Sequence, residues 1–182
     1  MPRDEIVHRL REAFRAYGYE GATVARLTEA TGLGRGSLYH HFPGGKEQMA
    51  EVVLDYVAMW FDRSVFAPLR DEADPVRAVT AMIANLENFY RGGEASCLAG
   101  SLALGEAKEA FAAAVRRIFE QFIAELTALG VRVGRTPAEA RRAATDAVVR
   151  IEGALVVSRG TGDMTIFTST LRGLPAQLLP AA

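Results

Sequence analysis

GLGRGSLYHHFPGGK, residues 32–46, decides how the rest of the chain is read. Its polar, aromatic and basic residues recur at helical spacing, which suits a surface laid against nucleic acid. Just upstream, Thr23–Thr31 (TVARLTEAT) reads as a short helix with Thr23 as N-cap, its side-chain oxygen accepting from a first-turn amide that has no helical partner. Gly32 closes that helix, because a tight turn between helices needs a residue that enters the left-handed region without steric cost. Leu33 turns inward and a second helix restarts near Arg35, which makes a helix-turn-helix. Leu38 and Phe42, four apart, share its inner face. Arg35, Gly36, Ser37, Tyr39, His40 and His41 are left to point outward.

These outward types divide into the tasks of a DNA-reading helix. Arg35 suits a forked contact to guanine, Ser37 and His40 can bond base edges or phosphate, and Tyr39 can reach a phosphate or a thymine methyl. Gly36 lets the backbone come close. Lys46 follows Pro43-Gly44-Gly45 at the start of the next helix, where its charge and that helix's first amides can together hold a phosphate. The competing reading is a solvated surface helix, since His-His pairs, Tyr and Arg also stand on ordinary exteriors.

Thr23 through Lys46, together with the helix before it, resembles the DNA-binding domain of the TetR family of transcriptional repressors. The resemblance rests on Gly32-Leu33 and on Gly36-Ser37-Leu38-Tyr39-His40-His41-Phe42, while FPGGK, Cys97-Leu98 and Glu152-Gly153-Ala154-Leu155 are similar to the LmrA/YxaF-like branch. Two departures stand in the head: Thr28 where the family usually has Ala, and Gly34 where Ser or Pro is common. The resemblance implies an all-α fold of about nine helices, with a helix-turn-helix DNA-binding domain over 1–45 and a ligand-binding and dimerisation domain over 46–182. It also implies DNA contacts from Thr23, Arg35, Gly36, Ser37, Tyr39, His40, His41 and Lys46. The function implied is a ligand-responsive repressor that binds an inverted-repeat operator in double-stranded DNA as a homodimer. A small lipophilic or aromatic effector would release it, and no cofactor is expected. The alternatives are a DNA-binding regulator without small-molecule control and, last, a helical enzyme.

The totals agree. At 182 residues the chain makes one domain or two small ones, and 49% hydrophobic content is ample for a core. A net charge of −1 argues against nonspecific coating of nucleic acid. Through residue 50, seven cations face six carboxylates, and all three histidines, His8, His40 and His41, lie there too. The single cysteine excludes an intrachain disulfide and fits a reducing compartment. Without a signal-peptide core or a run near the ~20 apolar residues of a membrane span, the chain is expected to be soluble and cytoplasmic, with no membrane partner.

Apolar periodicity predicts helices throughout. Asp4–Tyr17 is the first, ended by Gly18, and it should bury Phe14 against Leu27 and Leu38. A long helix runs from about Lys46 to Phe66. Asp74-Pro75 caps another, a short one covers Cys97–Leu104, and Glu106–Leu129 carries a broad apolar stripe that Gly130 ends. Thr136-Pro137-Ala138-Glu139 combines a capping box with proline just inside the start of a helix reaching about Arg159. A last helix begins near Asp163, and Pro175 should bend or interrupt it.

Trp60, Phe61, Met82, Phe89, Tyr90, Phe111, Phe119 and Phe122 come from three helices able to surround a cavity, with Glu152 and Arg159 as polar anchors. The same stripes would also serve a plain core. Small and apolar residues on the last two helices, namely Ala144, Ala147, Ile151, Gly153, Leu155, Ile166, Leu171 and Leu174, are expected at a dimer interface by the resemblance, or in an intrachain core by pattern alone. Enzyme chemistry finds little support: Cys97 has no histidine outside the head to act as base and reads as a small buried thiol, and His40-His41 points two ways on a helix, with no metal ligands to complete a set.

Overall fold

A computed structural model describes residues 1–105 and 107–180. Among the described residues the regular structure is helical: α1 Arg3–Gly21, α2 Val24–Thr31, α3 Arg35–His41, α4 Gly45–Phe61, a π turn Asp62–Phe66 running into α5 Ala67–Asp71, α6 Pro75–Phe89, α7 Leu98–Leu104, α8 Lys108–Arg132, α9 Pro137–Thr161 and α10 Thr165–Leu178. Counting α4, the π turn and α5 as one continuous stretch, and setting aside the 3-10 turn Arg91–Gly93, gives nine helical segments among the described residues, as the sequence leads one to expect. The chain forms two compact units, Met1–Met59 with Cys97–Arg116, and Trp60–Ser96 with the chain from Arg117 onward, so the divisions fall near the end of α4 and within α8.

The first unit is built on the apolar face of α1. Ile6, Leu10, Ala13 and Phe14 are buried, as are Leu27 of α2, Leu38 of α3, Phe42, and Met49, Val53 and Leu54 of α4. Gly32 takes φ 70° at the end of α2, and its amide bonds back to Thr28 O at 2.9 Å. The turn is fixed further by Thr31, whose buried hydroxyl donates to Leu27 O at 2.7 Å and accepts from Leu33 N at 3.4 Å. Arg9, paired with Glu5 at 2.7 Å, donates to Thr31 O at 3.3 Å. Buried polar groups without partners are costly, so this satisfied hydroxyl specifies one turn geometry.

In the second unit, α6 starts on the expected cap: Asp74 Oδ1 accepts from Val76 N at 2.8 Å ahead of Pro75. The Thr136 capping box opens α9. Ser158 of α9, fully buried, accepts the Phe167 amide of α10 at 3.0 Å. That bond fixes the α9–α10 pair, whose inner faces bury Ala144, Ala147, Ile151, Leu155, Phe167, Leu171 and Leu174.

Several expected boundaries move. The α-helix from the head ends at Phe61, and residues 62–66 form a π turn whose carbonyls at Asp62 and Ser64 accept side-chain donors from Arg70 and Asn85. Gly130 does not end α8; it faces Ala140, where an ideal Cβ would lie 2.8 Å from the Ala140 Cβ, so glycine permits the approach of α9 and the helix runs on to Arg132. Pro175 sits inside α10, which continues to Leu178. α1 kinks at Gly18 (φ 67°, ψ 177°) and then makes one more turn. Glu106, the expected start of α8, lies outside the described residues.

Candidate nucleic-acid interface

The short helix α3 presents the face that the sequence assigns to it. Leu38 is fully buried, while Arg35, Gly36, Ser37 and His40 are exposed and Tyr39 and His41 half-buried. Its N-cap is Gly34, with no side-chain cap bond, so the departure at this position leaves the first turn of α3 without its own hydroxyl. The Arg35 guanidinium carbon lies 5.7 Å from the centroid of the Tyr39 ring, and that ring rests beside the Gly45 backbone. Arg35 is thereby an outward cation steadied by an aromatic neighbour, a form suited to a forked bond with guanine O6 and N7. His40 and His41 rings stand edge to face at 6.0 Å, and His41 O accepts from Arg3 at 3.4 Å. Thr23 caps α2 through Arg26 N at 3.4 Å and is exposed.

Lys46 is less open than the sequence suggests. Its ammonium donates to Tyr19 O at 3.0 Å and lies 4.3 Å over the Tyr19 ring. Burial raises the Tyr19 phenol above its ordinary pKa, followed by the negative charges of Glu47, Glu20 and Glu51. Spacing and residue type alone do not single out Tyr19, Thr31 or Arg9. A threonine directly before a turn glycine is a local signal for the second, whereas Tyr19 acts across 27 residues and leaves no pattern.

In the second unit the aromatic residues pack on one another. Trp60 and Phe89 stack at 4.3 Å, Phe61 meets Phe89 at 5.1 Å and Phe122 at 5.9 Å, and Phe89 meets Tyr90 at 5.1 Å. Phe61, Met82, Phe89, Tyr90 and Phe122 are buried, with Trp60 and Phe119 half-buried. Phe111 does not join them: it belongs to the first unit, edge-on to Tyr19 at 5.0 Å, because the start of α8 packs there. On α9, Glu152 is half-buried and Arg159 exposed. Cys97 is half-buried rather than enclosed and caps α7, its sulfur accepting from Gly100 N at 3.4 Å.

Six of the eight residues expected at a dimer interface, Ala144, Ala147, Ile151, Leu155, Leu171 and Leu174, are buried within their own chain, because they form the inner faces of α9 and α10. Gly153 and Ile166 stay at the surface. They border a groove of about 380 Å³ between α9 and α10 that Val157, Thr170 and Gly173 also line. Beside it Val149 and Val156 are 64% and 69% exposed, unusual for valine.

Comparison with known proteins agrees with this arrangement. Residues 6–53 match the family model for bacterial regulatory proteins of the tetR family, and residues 75–171 match that for the C-terminal domain of LmrA/YxaF-like transcriptional regulators. The HTH-type transcriptional regulator YxaF of Bacillus subtilis is 25% identical over 169 residues, covering 90% of this chain and 87% of YxaF. The HTH-type transcriptional repressor AcnR of Corynebacterium efficiens is 55% identical, over 47 residues, or 26% of this chain and 24% of AcnR. In fold, a TetR transcriptional regulator from Legionella pneumophila superposes with a TM-score of 0.86 at 16% identity, over 97% of this chain and 96% of that one. Among the described residues no helix is long and apolar enough to cross a membrane. With a helix-turn-helix whose outer face is polar and basic, and with both of its parts matched, the chain is no enzyme but a DNA-binding transcriptional regulator that belongs to the TetR family, in its LmrA/YxaF-like branch.

Proposed function

We propose that this regulator is a repressor that binds an inverted-repeat operator as a homodimer and leaves it when a small lipophilic or aromatic effector binds the second unit. The observation that carries the reading is the outer face of α3: Arg35, Ser37 and His40 stand exposed on a helix whose Leu38 is locked in the core. Side chains so held reach base edges without first reorganising, while Tyr39, Thr23 and Lys46 serve the backbone phosphates. The head domain, proposed as 1–45, does the reading, and residues 46–182 sense and assemble.

Assembly is proposed through the exposed stripe Val149, Gly153 and Val156 of α9 and the adjoining groove with Ile166, because apolar side chains and glycine side by side permit close approach of a second copy. Two heads about one helical turn apart then address two half-sites. Gly153→Arg should leave the fold intact and shift the protein to monomer in sedimentation; an unchanged dimer removes Gly153 from the interface.

The effector site is proposed at Trp60, Phe61, Phe89, Tyr90 and Phe122. What supports it is that Phe61 and Phe122 pack on Phe66 of the π turn 62–66, at 5.9 and 5.5 Å, where the helical hydrogen-bond register changes, a feature often found at functional positions. An effector acts only by preferring the arrangement that binds DNA poorly, with coupling of about 1–3 kcal/mol. The test titrates candidate aromatic compounds by Trp60 fluorescence with and without the DNA upstream of the protein's own gene. DNA should weaken effector binding by the factor by which effector weakens DNA binding. Equal effector affinity in both titrations contradicts the proposal.

A further inference from the structure

Beyond α3, the first unit contains an arrangement that the recognition helix does not explain. After the kink at Gly18, Tyr19 and Glu20 meet α4 and the start of α8. The Tyr19 ring lies near-parallel to Phe14 at 6.1 Å and takes the edge of Phe111, on α8, at 5.0 Å. Glu20 Oε1 accepts from Ala107 N at 3.4 Å, ahead of α8. On the other side, Tyr19 receives Lys46 twice, through its carbonyl at 3.0 Å and its ring face at 4.3 Å.

A lysine side chain on a surface ordinarily samples many rotamers, and gripping a phosphate removes that freedom. Here the stem is already directed and half-buried. An ammonium has three donors, and Tyr19 O uses one of them. Two N–H groups remain, on a residue that itself stands in the first turn of α4, the end of a helix that favours anions.

From this geometry we infer that Tyr19 is a positioning residue for DNA binding: braced by Phe14 and Phe111, it seats the Lys46 ammonium ready for a backbone phosphate. The inference rests on the reading of Lys46 as a phosphate contact and adds the residue that holds it. It also gives α8 a direct hold on the DNA-facing cation, because any displacement of Phe111 moves the seat. The phenol oxygen has no part in it. Ring face and main-chain carbonyl suffice, so phenylalanine should replace Tyr19 and leucine should not.

The test measures binding of the full-length protein to its own upstream DNA over a range of salt, for the unmodified protein, Tyr19→Phe, Tyr19→Leu, Lys46→Met and the Tyr19→Leu/Lys46→Met double variant. Lys46→Met should reduce the slope of log affinity against log salt by about 0.9, one phosphate contact. Tyr19→Phe should match the unmodified protein. Tyr19→Leu should weaken binding about two- to fivefold, the scale of a lost cation–aromatic contact, and should have no further effect once Lys46 is gone. An equal loss in both backgrounds means Tyr19 acts on the fold and overturns the inference. An unchanged slope in Lys46→Met overturns the phosphate reading of Lys46 itself, a different failure. If circular dichroism finds Tyr19→Leu unfolded, the Lys46 ε-methylene resonances of the unmodified protein decide. An upfield ring-current shift that persists in the DNA complex supports the seat, and its disappearance on DNA binding overturns it.

Discussion

The outer face of α3 and the aromatic cluster of the second unit are both made of residue types that bind ligands, yet the chain treats them in opposite ways. On α3, Leu38 is fully buried while Arg35, Ser37 and His40 stay exposed, so the polar groups are surplus to folding. In the cluster, Phe61 touches the rings of Phe66, Phe89, Tyr90 and Phe122, and the residues proposed to hold a ligand hold each other. Polar residues that the fold does not need announce a partner. Apolar residues that the fold does need are silent about one.

The contrast between the two regions is largest at Phe61. As a core residue, 4% exposed, its replacement by alanine should cost about 3–5 kcal/mol and lower the melting temperature markedly by calorimetry. A Phe61→Ala protein that melts normally would mean that the cluster already holds space for a ligand. Arg35→Ala should do the reverse, weakening operator binding by about 1–3 kcal/mol with no change in melting. A melting shift there would mean that Arg35 serves the fold, as the Thr136 capping box does.

That box marks the small end of the scale. Thr136 Oγ1 accepts from Glu139 N at 3.3 Å, and Glu139 accepts from the Thr136 hydroxyl at 2.6 Å and amide at 3.0 Å. Thr136→Ala should cost about 0.5–2 kcal/mol of stability and leave DNA binding alone. The bond from the Thr136 hydroxyl, and then that from its amide, hold the Glu139 carboxyl below its usual range. A depressed folded pKa contributes stability that is complete above the unfolded value, about 4.3, and fades as pH falls through the folded one. The difference between wild type and Thr136→Ala in urea titrations should therefore shrink below about pH 4, since the variant keeps the amide bond but lacks the hydroxyl bond that lowers Glu139 most. A constant difference down to pH 2 would show that the carboxylate takes no part.

The head was legible because its signals are local. Thr23, Gly32 and Leu38 act within a few residues of their own positions, and helical spacing decides which side chains point out. The Thr136 and Asp74 caps were legible for the same reason. What stayed hidden depends on which of two apolar stripes another helix covers. Ala144, Ala147, Ile151 and Leu155 looked available on α9, but α10 and the Ser158–Phe167 bond take that face, which leaves Val149, Gly153 and Val156 outside. Gly130 misled in the same way, since a glycine that ends a helix and one that admits a neighbour are identical in sequence. Phe111 and Tyr19 meet across 92 residues of chain, and no periodicity within either helix points to the other.

If the outer face of α3 reads bases, selection of bound sequences from a randomised DNA pool will show it position by position. The unmodified protein should recover a two-fold symmetric site with half-sites about one helical turn, or a multiple of it, apart, each with a fixed guanine. The Arg35→Ala protein should recover the same site with that guanine relaxed in both halves and every other position kept. Recovery of an identical preference by the folded Arg35→Ala protein would contradict the account.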